Sequence, residues 1–105
     1  MNAHSWYDAD VIVMNPLIPL DIFLPPEPRF RHIHLVVTND HNGLNSGGFF
    51  VRVNEWAIQF FADAIAMPTY RPDLNLRYSE QSAMEVLTQD VRPLSTCTAR
   101  LPLDC

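Results

Sequence analysis

Lysine is absent from this chain. Its seven cationic side chains are all arginine and face twelve carboxylates, which gives a formal charge of −5 over 105 residues. That balance argues against nucleic acid or an anionic membrane as the main partner. It still permits a phosphate ligand, which a bound cation can bring in. Long apolar runs are also lacking. No stretch approaches the roughly 20 residues that cross a bilayer, and the N-terminus has no basic start leading into an apolar segment, so a signal peptide is not expected. No Asn-x-Ser/Thr acceptor occurs. Cysteine is limited to Cys97 and Cys105, which can pair in an oxidising compartment or both stay free. There are three glycines, so the clustering of Gly43, Gly47 and Gly48 in one short stretch is informative.

What is present reads as one globular domain: 48% apolar and 18% charged residues, with no internal repeat. Residues 4–14 read as a strand, because the aromatic pair Trp6-Tyr7 and the run Val11-Ile12-Val13 frame two aspartates. Residues 15–31 carry five of the nine prolines and read as a loop with one short turn at Leu20–Phe23. "HIHLVVT", 32–38, is β-branched and apolar, as a strand requires. "NDHNGLNSGGFFVRV", 39–53, is a polar turn at Asn42-Gly43 feeding a second strand.

From Asn54, a plausible N-cap, Trp56, Phe60, Ala64 and Met67 recur at helical spacing, and Pro68 is expected to end the helix. Trp56, Phe60, Phe61 and Ala64 are predicted to pack on the strand carrying Phe49 and Val51. A second helix follows, with Ser82 and Glu85 at capping-box spacing and Ser79 as the alternative cap, and it ends before Pro93. His32 and His34 share a face of their strand. Two histidines at that spacing can bind metal, although a solvated strand face is the commoner outcome.

The sharpest feature is "WYDADVIVMNP", with Asp8 and Asp10 one residue apart. Taken alone, the pair is equally well read as two turn aspartates capping backbone amides. The alternative is a hard-cation site. Mg²⁺ and Mn²⁺ favour carboxylate oxygens and often take only one or two from protein, the rest from phosphate and water. "WYDADVIVMNP", "NDHNGLNSGGFFVRVNEW" and "EQSAMEVL", in this order and at these distances, resemble glycosyltransferase family 34, the fungal α-galactosyl- and α-mannosyltransferases related to plant xyloglucan xylosyltransferases. The resemblance spans about residues 5–90.

It implies an α/β glycosyltransferase A-type fold, here partial, with a mixed sheet and two main helices. Residues 1–90 would be the central and C-terminal part of that domain, and 91–105 an irregular tail. It implies transfer of galactose or mannose from a nucleotide sugar to a glycan, with retention of configuration and dependence on Mn²⁺, in the Golgi lumen. Carried over, Asp10 is the main metal ligand, and Asp8 binds metal or donor hydroxyls. Asn42, Gly43, Asn45, Ser46 and Gly47 line the sugar site. Gln81 sits beneath the anomeric carbon, and Glu80 binds donor or acceptor hydroxyls. Members also carry a nucleotide-gripping βαβ half, a late metal-binding His and an acid where this chain has Ser79. None of these is found in the 105 residues. Poor donor affinity, a weakly held metal, no turnover of a nucleotide sugar by the 105 residues alone, and self-association are therefore expected, and a non-catalytic remnant or an unrelated small α/β binding domain are the competing readings.

Overall fold

A computed structural model of the chain describes residues 3–89 and 97–101. Four strands and two helices follow in the order β1 (Ala3–Tyr7), β2 (Ile33–Asp40), β3 (Gly43–Arg52), α1 (Glu55–Tyr70), α2 (Glu80–Gln89) and β4 (Cys97–Leu101). The sheet order is β1-β3-β2-β4. β3 runs antiparallel to both β1 and β2, while β4 runs parallel to β2, so the sheet is mixed. A mixed sheet with two main helices is the α/β class expected from the sequence. The stretch read as an irregular tail thus holds a fourth strand. Cys105 lies outside the described residues, and with it any pairing to Cys97.

β2 and β3 form a hairpin across His41-Asn42, where Gly43 adopts a left-handed φ of 101°. Leu35, Val37 and Leu44 on this hairpin are fully buried. They meet Phe60, Ala64 and Met67 of α1 and Ala83 and Met84 of α2 in one core. The helical spacing is borne out. Phe60 and Ala64 face inward, Trp56 and Phe61 pack at their sides, and Phe61 meets Phe49 of β3 with ring centroids 5.8 Å apart. Asn54 is the N-cap, its side-chain oxygen accepting from the Ala57 N–H at 3.1 Å. The predicted turn at Leu20–Phe23 is present as a short 3-10 helix.

Two local readings are corrected. The strand does not extend through Val13. It ends at Tyr7, the Val11 N–H closes a turn onto the Asp8 carbonyl at 3.1 Å, and residues 8–14 are exposed, Ile12 at 80% and Met14 at 90%. The apolar run has no neighbouring strand among the described residues to supply a ladder. The second correction concerns Pro68. It does not stop α1, which continues to Tyr70. Proline removes one N–H, but the buried Met67 anchors the turn and its carbonyl accepts from the Arg71 N–H at 2.8 Å. The Tyr70 hydroxyl also donates to the Asp63 carbonyl at 3.1 Å.

His34 is not arranged as a ligand. Its ring stacks on Trp56 at 5.2 Å, and its Nδ1 accepts from the Asn54 amide at 2.8 Å. Burial, then the nearby Arg52 and His32, hold its pKa below the ordinary histidine value. The unfolded chain therefore takes up this proton first as pH falls, and stability drops progressively below roughly pH 6.5. Melting temperatures measured between pH 7.5 and 5 should show this slope, and His34→Phe should flatten it. An equal slope in both proteins would assign the loss to other groups.

Candidate active site

The site is built by an irregularity in the hairpin. Val37 pairs with Phe49, but the next residue, Thr38, pairs with Asn45. Ser46, Gly47 and Gly48 are thereby left without partners on β2, and their polar backbone groups must be satisfied elsewhere. The other two segments singled out in the sequence take up the Gly47 carbonyl and the Ser46 N–H. The Gly47 carbonyl accepts from the Asp8 N–H at 3.0 Å, and Gly48 sits opposite Tyr7. The Ser46 N–H donates to Gln81 Oε1 at 3.1 Å, and its hydroxyl donates to the same oxygen at 3.3 Å. The Gly47 N–H is taken by Asn45 Oδ1 at 2.7 Å. Glycine suits position 47 because a Cβ there would approach Asn45 Oδ1 to 3.0 Å and Asp8 Oδ2 to 3.4 Å.

Asp8, Ser46 and Glu80 consequently share one cavity of about 500 Å³, whose remaining wall is largely aromatic and aliphatic, with Trp6, Phe49 and Phe61. Asp8 stands just beyond the end of β1, beside the bulge, and Asp10 lies two residues further on in the exposed turn. Glu80 and Gln81 open α2, entered through Ser79 at a positive φ of 50°. Ser79 supplies the first helix-accepting carbonyl, to Ala83 N–H at 3.1 Å. The Ser82 hydroxyl accepts from the Tyr78 N–H at 2.9 Å. Glu85 does not close a capping box. Its carboxylate reaches across to the hairpin.

Asn42 and Asn45 are occupied differently. The Asp40 carboxylate accepts from the Asn42 N–H at 2.7 Å and from the Asn45 amide at 2.9 Å. The Asn45 amide and then the Asn42 N–H hold the Asp40 pKa below the usual carboxylate value. The Asn42 side-chain oxygen accepts from the Tyr78 hydroxyl at 3.1 Å. Asp40, Tyr78 and Glu85 were missed in the sequence. Asp40 was legible, because an Asp two residues before an Asn-Gly turn is positioned to accept the turn amide. Tyr78 and Glu85 act across sequence separations of 36 and 41 residues, which no local pattern reports.

Among the described residues no three His, Cys, Asp or Glu side chains converge on a point that could hold an ion. The carboxylates expected from the sequence to take a cation are both exposed, Asp8 at the cavity and Asp10 in the turn that follows it. Oxygen donors of this kind and number suit Mg²⁺ or Mn²⁺ that completes its shell with substrate phosphate and water.

The galactosyl transferase GMA12/MNN10 family model matches residues 26–104. The chain belongs to this family. Neither the curated proteins nor the solved structures compared with it give a match. The matched range contains the hairpin bulge and the Glu80-Gln81 turn, while Asp8 and Asp10 precede it. Membership makes the chain a glycosyltransferase-family domain. No helix among the described residues is long and apolar enough to cross a membrane.

Proposed function

We propose that this GMA12/MNN10-family domain transfers a hexosyl group, galactose or mannose, from a nucleotide sugar to a glycan. The transfer would retain configuration and depend on Mn²⁺, in the Golgi lumen. The observation that supports this reading is the bulge. It ties the acidic turn at Asp8, Ser46 and Gly47 of β3, and the first turn of α2 together, although they lie far apart in sequence.

In this reading Asp10 and Asp8 hold the cation, with Asp8 also within reach of donor hydroxyls. A divalent ion bound there would act as a Lewis acid on the departing diphosphate. Asn42, Gly43, Asn45, Ser46 and Gly47 line the sugar site, where amides both donate to and accept from hydroxyls. Glu80, exposed at the cavity mouth, accepts from substrate hydroxyls.

Gln81 is assigned to the positive charge that develops at the anomeric carbon. Its Oε1 carries two bonds from Ser46, and the hydroxyl one, at 3.3 Å, is long for an O–H donor. Rotating that hydroxyl frees one lone pair toward substrate, while the 3.1 Å bond from the backbone N–H keeps the amide aimed. Gln81→Ala should lower turnover by roughly 10²–10³-fold, the scale for one preorganised electrostatic group.

The test is metal-dependent donor binding. UDP-galactose or GDP-mannose is added with and without Mn²⁺ while the amide resonances of Asp8, Ser46 and Gly47 are followed. Released nucleotide and the anomer of any product are measured in the same sample. Shifts at these amides only with Mn²⁺, and an anomer matching the donor, are expected. Shifts that ignore Mn²⁺ or avoid this rim would sink the assignment.

A further inference from the structure

We propose that Glu85 is a positioning residue of this site, a carboxylate that locks the β2–β3 hairpin tip onto α2 and so holds Ser46 against Gln81. Three observations meet at it. Its Oε1 accepts from the backbone N–H of Leu44 at 3.3 Å, and Leu44 is fully buried, so this amide has no recourse to water. Gly43 presses so closely on the carboxylate that a Cβ at position 43 would collide with it. The left-handed φ of 101° at Gly43 turns the chain there. The carboxylate is itself steadied from its own helix by the Gln89 amide at 3.4 Å.

Glu85 lies one helical turn beyond Gln81, so the two residues face the same strand. Gln81 grips Ser46 and Glu85 grips Leu44, two residues earlier along β3. These parallel clasps set the height of the bulge relative to the first turn of α2. Removing the Leu44 clasp frees the hairpin tip to move, and the Ser46–Gln81 pair lengthens without any change in either residue. The significance for catalysis rests on the transfer site proposed above. The clasp itself does not, and its test is arranged to keep the two apart.

Amide hydrogen exchange on the full chain reads the clasp directly. Glu85→Ala should speed exchange at Leu44 and Ser46 by about tenfold or more, as expected for a local opening, while Phe60 and Ala64 in α1 keep their protection. Glu85→Gln retains an acceptor oxygen of the same reach and should stay within about threefold of wild type at Ser46. Glu85→Asp, one methylene shorter, keeps the charge on α2 but draws the carboxylate back from the Leu44 N–H, and should reproduce the local loss. It is the deciding variant if Glu85→Ala unfolds the whole chain. Unchanged exchange at Ser46 in Glu85→Asp, or no rescue by glutamine, would overturn the proposal. In the transfer assay Glu85→Ala should lower kcat more than it raises KM for the donor. A wild-type protein without transfer, but with Ser46 exchange that responds to position 85, would defeat the transfer reading and leave the clasp standing.

Discussion

Replacing Phe60 by alanine is expected to destabilise the domain by about 3–5 kcal/mol, the range for a large aromatic removed from a packed interior. The side chain is 7% exposed. Its ring stacks on Trp56 at 4.9 Å and meets Phe61 edge-on at 5.4 Å, so its loss also removes two aromatic contacts. Those neighbours are held by the α1 backbone and can collapse only partly into the space. Set against the 5–15 kcal/mol that stabilises a typical domain, about 4 kcal/mol is enough to leave much of the protein unfolded at 37 °C. Urea denaturation should show a lower midpoint with an unchanged slope. Ile65→Ala, on the same helix at 78% exposure, is the control and should shift stability by less than about 0.5 kcal/mol. A loss below about 1 kcal/mol for Phe60→Ala would remove it from the core.

That prediction uses a feature written plainly in the sequence. The period of Trp56, Phe60, Ala64 and Met67 identified the inner face of α1 because burial leaves a repeat that residue type alone records. Asn54 as cap and the turn at Leu20–Phe23 were legible for the same reason, since both depend on residues within one turn of chain. The readings that failed were those in which local chemistry was outvoted. Val11-Ile12-Val13 has strand propensity, yet propensity does not make a strand without a partner to complete its ladder. Pro68 lost one hydrogen bond, and the burial of Met67 outweighed it.

The candidate site divides along the same line. Its residue types were visible at Asp8, Ser46, Gly47 and Gln81, but the device that assembles them was not. A register slip of three residues between Val37 and Thr38 depends on both strands at once. Its only sequence trace is the pair of glycines at 47 and 48, where side-chain packing is given up to let backbones approach. Glu85 left a misleading trace, because its spacing from Ser82 imitated a capping box while its carboxylate served the far side of the hairpin.

Addition of Mn²⁺ is expected to raise the melting temperature of the domain, and Asp10→Ala is expected to abolish that rise. The reasoning is mass action. An ion that binds the folded chain and not the unfolded one stabilises by RT ln(1 + [L]/Kd), about 1.4 kcal/mol at ten times Kd, or roughly 6–10 °C for a domain of this size. Asp8 and Asp10 are both solvent-exposed, so metal-free protein holds neither carboxylate under a burial penalty, and removing one leaves no unpaired buried group behind. Asp10→Ala should therefore melt like wild type without metal, and differ from it only when Mn²⁺ is present. Asp10→Asn, which keeps an oxygen donor but loses the charge, should retain a small fraction of the response. Ca²⁺ at the same concentration tests the shell, because an incomplete protein donor set that relies on phosphate should give it no advantage over Mn²⁺. Adding a nucleoside diphosphate should enlarge the Mn²⁺ response in wild type and not in Asp10→Ala, since its oxygens complete the coordination that two carboxylates begin. The same Mn²⁺ response in wild type and Asp10→Ala would place the ion elsewhere on the chain and remove Asp10 from the proposed site.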